Sequence, residues 1–147
     1  MKRTPRQIME TYLSDVAVDG RLELLEELAN PDMVDEANKA FGGPEGREGL
    51  FAHVHGFRRN VTDLSVNVDR IVAGESDVMA WWSFSGIHTG PWLGRAPTCK
   101  RITGNVFSFF DLKDGRISFY RLWFCAMFDD EAVIFDSSRP ESLLKKT

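Results

Sequence analysis

Cysteine is nearly absent from this 147-residue chain, which has only Cys99 and Cys125. Two cannot staple a small disulfide scaffold, and they are too few for a cysteine zinc site. Basic clusters are absent too. Lys and Arg number 18 against 22 acidic residues, a net charge of -4, which argues against extended contact with nucleic acid or an anionic membrane. No apolar run is long enough to span a bilayer, and the N-terminus leads straight into an amphipathic pattern without an apolar signal core. The expected location is the cytoplasm. No set of His, Cys, Asp and Glu has ligand spacing, so no metal is expected. Internal repeats and low-complexity runs are missing as well. The length suits a single domain, 1–147, with one sizeable core.

What the chain has in quantity is aromatic carbon, 11 Phe and 4 Trp, and such side chains bury large areas. Thr4 followed by Pro5 reads as a helix start. Ile8, Met9, Tyr12, Leu13, Val16 and Ala17 repeat with helical spacing until Gly20. A second short helix turns Leu22, Leu25 and Leu28 inward, and Asn30-Pro31-Asp32 breaks it. Residues 33–43 show no clear period and read as a loop with room for a short strand. Pro44 opens a third helix with Leu50, Phe51, Val54 and Phe57 as its buried face, and Arg58 and Arg59 suit its C-terminal end.

From Val61 the period becomes two, with Leu64, Val66 and Val68 on one side. Strands are expected over 78–88, 99–111 and 116–127. Residues 89–98, rich in glycine and proline, read as a loop, and Lys113-Asp114-Gly115 as a hairpin turn. The polar tail, 129–147, is expected to pack loosely, leaving a core of 5–128. Three N-terminal helices followed by long antiparallel strands describe an α+β fold. A strongly bent, cone-shaped sheet wrapped round the helices would enclose an apolar pocket at one end.

Three stretches carry a resemblance. The longest is Phe84-Ser85-Gly86-Ile87-His88-Thr89-Gly90-Pro91-Trp92-Leu93-Gly94-Arg95-Ala96-Pro97-Thr98-Cys99-Lys100. Met33 to Asn38 with Gly43-Pro44-Glu45-Gly46 is the second, and Asp114-Gly115-Arg116-Ile117 the third. Together they resemble the SnoaL-like polyketide cyclases over roughly Tyr12 to Met127. The resemblance implies the nuclear transport factor two-like fold, a homodimer packed through the sheet, and no metal or organic cofactor. Members close rings by aldol chemistry or open epoxides; relatives isomerise, hydrate or only bind. The family's last strand ends in an acid/base aspartate, and counting from Asp114-Gly115 that position falls on or near Cys125. Glu36 stands where the family often has His. Cys99 and Ile87 replace a glycine and a threonine of the central motif.

The candidate site follows from both readings. His88 titrates near neutral pH and can shuttle a proton; the bland alternative is a histidine bonded to its own loop. Asp35 and Glu36 read first as solvated loop acids; at most one of the two faces the pocket, where burial would raise a carboxyl pKa, and Glu36 is preferred because the family holds a polar residue there. Arg121, Trp123 and Cys125 share one face of the last strand, taken as the pocket side because the family's aspartate lies on it. Arg121 would then pair with Glu36 or hold an anionic oxygen, Trp123 would wall the ligand, and Cys125 would be unreactive filler. Trp82 and Phe84 alternate in phase with His88 and line the same cavity. Tyr12 offers a hydroxyl, and Asn38 and Asn105 are candidate oxyanion donors. His53 and His55, two apart on a helix, read as solvated surface.

These residues support a cofactor-free acid/base enzyme acting on a small hydrophobic polyketide-like or polycyclic molecule, with His88 and Glu36 as the proton-transfer pair. The alternative is a non-catalytic binding or accessory protein with the same pocket. Exposed aromatics such as Phe107 or Phe110 on the outer sheet face would hold a dimer. Cys99 and Cys125 are expected nearly opposite each other on neighbouring strands, as two reduced thiols, with Cys125 in the pocket wall and Cys99 at its rim.

Overall fold

Helix α1 (Pro5–Thr11) begins at the expected cap. The Gln7 N–H donates to Thr4 Oγ1 at 3.1 Å, and the Thr4 N–H donates to the Gln7 side chain at 2.9 Å, a reciprocal capping box. The computed structural model describes residues 2–141; the end of the expected loose tail, 142–147, lies outside the described residues. The helix continues through a wider π-helical stretch, Tyr12–Val18, and stops at Gly20, whose φ of 76° suits a residue without Cβ.

Where the sequence offers no period, two elements form. After a tight turn and helix α2 (Leu25–Leu28) come strand β1 (Ala29–Asp35) and helix α3 (Glu36–Ala40), then α4 (Arg47–Asn60). Thus four α-helices stand among the described residues where three are expected. Pro31 cannot donate to a ladder, yet β1 holds it because the pairing register shifts between Ala29 and Val34. Helix α4 starts at Arg47 rather than Pro44 and buries Leu50 and Val54, whereas Phe51 is exposed.

The sheet contains β2 (Val61–Ala73), β3 (Asp77–His88), β4 (Arg101–Lys113), β5 (Arg116–Met127) and β6 (Ala132–Asp136). The order is β1-β5-β4-β3-β2, with β6 also on β5. Strand β1 lies parallel to the first half of β5 and β6 antiparallel to its second half, so the sheet is not wholly antiparallel. Strand β6 corrects the expectation of a loose tail: Val133 and Phe135 alternate into the core. Register shifts at Thr62/Ser65 and Val68/Arg70 bend β2 against β3, and the strongly bent sheet closes round the helices.

A single bulge reverses the reading of β5. Asp111 pairs with Phe119 but Leu112 pairs with Ile117, leaving Ser118 unpaired. One extra residue flips every later side chain to the opposite face. Ile117 and Tyr120 therefore both point inward, followed by Leu122, Phe124 and Ala126, while Arg121, Trp123 and Cys125 face out. Phe110 is likewise core, and of the two aromatics expected outside only Phe107 is exposed. Cys99 lies outside β4 because its φ of 59° breaks the extended chain. The residue opposite Cys125 is Asn105, itself exposed on the outer face, and both thiols are free.

Candidate active site

Between α1, α3, α4 and the concave face of the sheet lies a cavity of about 330 Å³, at the small end of the usual range for ligand pockets. Its walls are mostly aromatic: Trp82 and Phe84 from β3, Phe124 from β5, Phe135 from β6 and Trp92 from the 89–100 loop. Tyr12, Asn38, His53, Asn60 and Tyr120 supply the polar groups, and no Lys, Arg, Asp or Glu lines it among the described residues. Gly104 shapes the wall, since a Cβ there would come within 2.2 Å of the Phe84 ring.

At one wall a buried carboxylate holds a histidine. Asp35 follows Met33 on the inward side of β1 and ends the strand. Its Oδ1 accepts the Asn38 N–H at 3.1 Å, capping α3, and its Oδ2 lies 2.7 Å from His53 Nδ1. The Asp35 side chain is 1% exposed and that of His53 25%. An ionised carboxylate only accepts, so Nδ1 carries the hydrogen and Nε2 is the other, uncommitted nitrogen of the neutral ring. The ring stacks on Tyr120 with centroids 5.6 Å apart and planes 13° apart. Burial pulls the imidazole pKa down, but the Asp35 charge and hydrogen bond outweigh it, and the net shift is upward from 6.5.

A second network ends at the same ring. Trp82 Nε1–H donates to Ser108 Oγ at 3.0 Å, and Ser108 Oγ lies 3.1 Å from the Tyr120 hydroxyl. Indole nitrogen can only donate, so Ser108 accepts from it, and either hydroxyl can donate in the Ser108–Tyr120 contact. The Tyr12 ring meets the Tyr120 ring edge-on, 5.7 Å between centroids. Burial raises both tyrosine pKa values well above the ordinary 10, with the Asp35 charge adding to each. Both therefore stay protonated donors near neutral pH.

Four of the expected residues, Tyr12, Asn38, Trp82 and Phe84, line the cavity. His88 points inward in phase with Trp82 and Phe84 but is fully buried and outside the lining. Its Nδ1 accepts the Thr98 N–H at 3.3 Å and lies 3.1 Å from Thr98 Oγ1, and its ring packs edge-on against Phe128. Burial, then the Arg95 charge, push its pKa down. Glu36 and Arg121 do pair, with two bonds of 2.8 and 2.9 Å, but at the rim of the sheet. The Ser137 hydroxyl also donates to Glu36 at 2.8 Å, and the Arg121 hydrogen bond foremost holds the Glu36 carboxyl below its ordinary value. The inward acid is Asp35 instead, because β1 alternation and the α3 cap fix it there. Trp123 and Cys125 lie on the outer face, moved there by the bulge at Ser118.

Sequence reasoning missed His53, Ser108 and Tyr120. The signal for His53 was present, since Leu50, His53, Val54 and Phe57 fall at i, i+3, i+4 and i+7, one helical face. Among the described residues no three His, Cys, Asp or Glu side chains converge as a metal site, and no helix is long and apolar enough to cross a membrane.

Comparison with known proteins places this architecture. The family model of the SnoaL-like polyketide cyclases matches residues 7–125. TsrD from Streptomyces laurentii has the same fold, with a TM-score of 0.70 at 24% identity over 81% of this chain and 86% of that one. A SnoaL-like polyketide cyclase from Agrobacterium tumefaciens gives 0.69 at 16% identity, covering 85% and 92%. An LEH-like epoxide hydrolase of M. tuberculosis gives 0.57 at 21% identity, covering 80% of each chain. No curated protein matches the sequence.

Proposed function

The chain belongs to the SnoaL-like polyketide cyclase family, and we propose that it is an acid/base enzyme of secondary metabolism that closes a ring in an uncharged polyketide-like molecule. One observation carries this reading: His53, on the wall of an apolar cavity, has its Nδ1 held by the buried carboxylate of Asp35. That arrangement fixes the tautomer and orients Nε2 as a general base.

The chemistry needs only proton movement. His53 Nε2 removes a proton from a carbon next to a substrate carbonyl, and the Tyr12 and Tyr120 hydroxyls donate to the enolate oxygen as charge develops there. The carbanion attacks a second carbonyl, and the imidazolium returns its proton to the resulting alkoxide. Asp35 stabilises the transient imidazolium in the manner of a catalytic triad's acid. The aromatic walls hold a flexible chain folded near its reacting geometry, which by itself lowers the barrier, and they keep water from the enolate.

Binding without turnover is the competing reading. In its favour, the inward positions of β5 (Tyr120, Leu122, Phe124 and Ala126) include no carboxylate, whereas the family's cyclases use one there. The enzyme works in the cytoplasm as a homodimer packed through the outer sheet face, a reading supported by the exposed Trp81 and Phe107.

Deuterium exchange decides between turnover and binding. Buffer deuterium should enter the carbon next to the carbonyl of a neutral polyketide-type ester with the wild-type protein and not with His53→Ala. An ester that binds both proteins and exchanges in neither would leave a binding protein.

A further inference from the structure

Residues 91–97 cover the cavity without pairing into the sheet. Pro91, Trp92 and Leu93 are wall residues. The Trp92 ring stacks on Phe124, 5.8 Å between centroids and 17° between planes, and touches Phe57 and Phe84. Trp92 and Arg95 exchange two backbone hydrogen bonds of 3.1 and 3.0 Å. The two residues between them, Leu93 and Gly94, have φ of 53° and 74°. A two-residue turn with both φ positive is a tight hairpin tip, so this tip is stiff and moves as a unit.

Its ends are tied down by backbone. The Thr89 and Gly90 N–H groups donate to the Asn60 carbonyl at 2.9 and 3.1 Å, and the Cys99 N–H donates to the His88 carbonyl at 2.8 Å. Between those ends the attachment is different. Among the described residues, every hydrogen bond and ion pair from 91–97 to the rest of the protein belongs to the Arg95 guanidinium. Nη2 meets Asp130 Oδ1 at 2.6 Å, Nη1 meets Glu131, and the group lies 4.4 Å over the Phe128 ring. Charge-assisted pairs of this kind are the strong ones, and the Arg95 side chain is mostly buried.

We propose that residues 91–97 are a lid hinged at Gly90 and Thr98, and that Arg95 is its latch on the turn between β5 and β6. With the latch made, Trp92 packs against Phe57, Phe84 and Phe124 and narrows the mouth of the cavity. With it broken, the tip swings out as one piece and opens the mouth for entry or release. The lid itself does not depend on which reaction the cavity performs.

Backbone amide exchange in the full chain tests the lid without any ligand. Arg95→Gln should speed exchange of the Gly90 and Thr98 hinge amides, which donate to Asn60 and His88, by about tenfold or more, the weight of a charge-assisted hydrogen bond, while the Trp92 and Arg95 amides, bonded to each other inside the tip, and those of β3 and β4 keep their protection. Glu131→Gln should do the same, and the double variant should add little to either single change, since both break one latch. Unchanged protection in Arg95→Gln, a rise shared with the strands, or full additivity would each overturn the latch. Stopped-flow binding of Nile red, a neutral apolar dye, gives the second measure. Entry and exit should both accelerate in Arg95→Gln, with the dissociation constant changing less than either rate; equal rates in the two proteins would overturn the gate. A dye that binds neither protein would count against the cavity as a binding site, while the exchange data still decide the lid.

Discussion

His53 Nδ1 and Asp35 Oδ2 lie 2.7 Å apart across 18 residues of chain, the one from helix α4 and the other from the end of β1. This contact sets the pH dependence expected of the site. Burial alone would lower the imidazole pKa, but Asp35 outweighs it and the net value lies above 6.5. A general base works deprotonated, so kcat/KM should be low near pH 6 and rise through that raised pKa to an alkaline plateau. Asp35→Asn removes the attraction and leaves the burial. The midpoint should then move below 6.5 and the plateau should fall, because the ring loses its tautomer and orientation. A pH–rate profile with the same midpoint in both proteins would refute the pairing as the source. Stability carries the opposite sign: a raised histidine pKa stabilises the fold at low pH, and that gain is lost as pH rises through the folded value.

Two histidines should separate by what they disturb. His53→Ala removes the proposed base, so turnover of the folded protein should drop by about two to four orders of magnitude, and Tm should fall too because the buried Asp35 Oδ2 loses its partner. His88→Ala empties a fully buried site and leaves the Thr98 N–H without its acceptor, so Tm should fall while turnover of the folded protein stays within about tenfold. Because the His88 pKa is depressed, the stability it contributes is present above 6.5 and lost as pH falls. Turnover and thermal melts on both variants read this directly; a His88→Ala protein that melts normally but is inactive would return His88 to the chemistry.

The fold was more legible than the site, and particular residues show why. The Thr4 cap, the Gly20 stop and the β5 boundaries could be read from local chemistry, because caps, glycines and period-two runs act within a few residues. The inward set on β5 could not, since the bulge at Ser118 arises between two strands and nothing in β5 alone announces it. The same limit applied to Asp35. Its neighbour Glu36 looked equivalent in sequence, and only the pairing of β1 with β5 decides which one turns inward. Residues 132–136 looked polar and loose because Val133 and Phe135 acquire their alternation only against β5. His53 is the exception. Its helical face was visible, and considering it only against His55 hid the match with Leu50, Val54 and Phe57.

Ser108 joins the Trp82 indole to Tyr120, and its removal should be costly. Ser108→Ala leaves the buried Trp82 N–H without an acceptor and Tyr120 without a partner. The expected loss is about 1–3 kcal/mol, measured by denaturant unfolding, together with a reduced kcat as Tyr120 loses its fixed orientation. An unchanged midpoint would show that the indole finds another acceptor.

The Glu36–Arg121 pair should matter to stability above the acid range rather than to turnover. Its Arg121 side chain is 51% exposed, where ion pairs contribute little, and Glu36→Gln should leave kcat within about threefold. The Glu36 pKa is depressed, so its contribution is present above 4.5 and disappears as pH falls through the lower folded value. Acid unfolding curves of the two proteins should therefore converge at the lowest pH. Curves that stay apart there would mean that Glu36 acts through something other than its charge.

The outer face of the sheet carries the last test. Trp81 and Phe107 are 46% and 38% exposed, and their rings stack at 5.6 Å with planes 13° apart. Trp123 joins them edge-on at 6.0 Å, and Met79 lies exposed on the same face of β3. Aromatic carbon gathered this way on one face is unusual for a monomer and suits a symmetric contact with a second copy. Phe107→Glu would place a charge in the middle of that contact, where pairing across a two-fold axis would also bring like charges together. Sedimentation at micromolar concentration should show a dimer for the wild-type chain and a monomer for Phe107→Glu, with the same Tm at high dilution. Trp123→Ala adds a discriminating arm. If β5 kept one phase from the hairpin onward, Trp123 would wall the cavity and its loss would weaken apolar dye binding. With the bulge at Ser118, it should weaken the dimer and leave dye affinity within about twofold, as expected for a residue that does not touch the ligand. A variant that stays dimeric but loses the dye would place Trp123 inside and overturn the register described for β5.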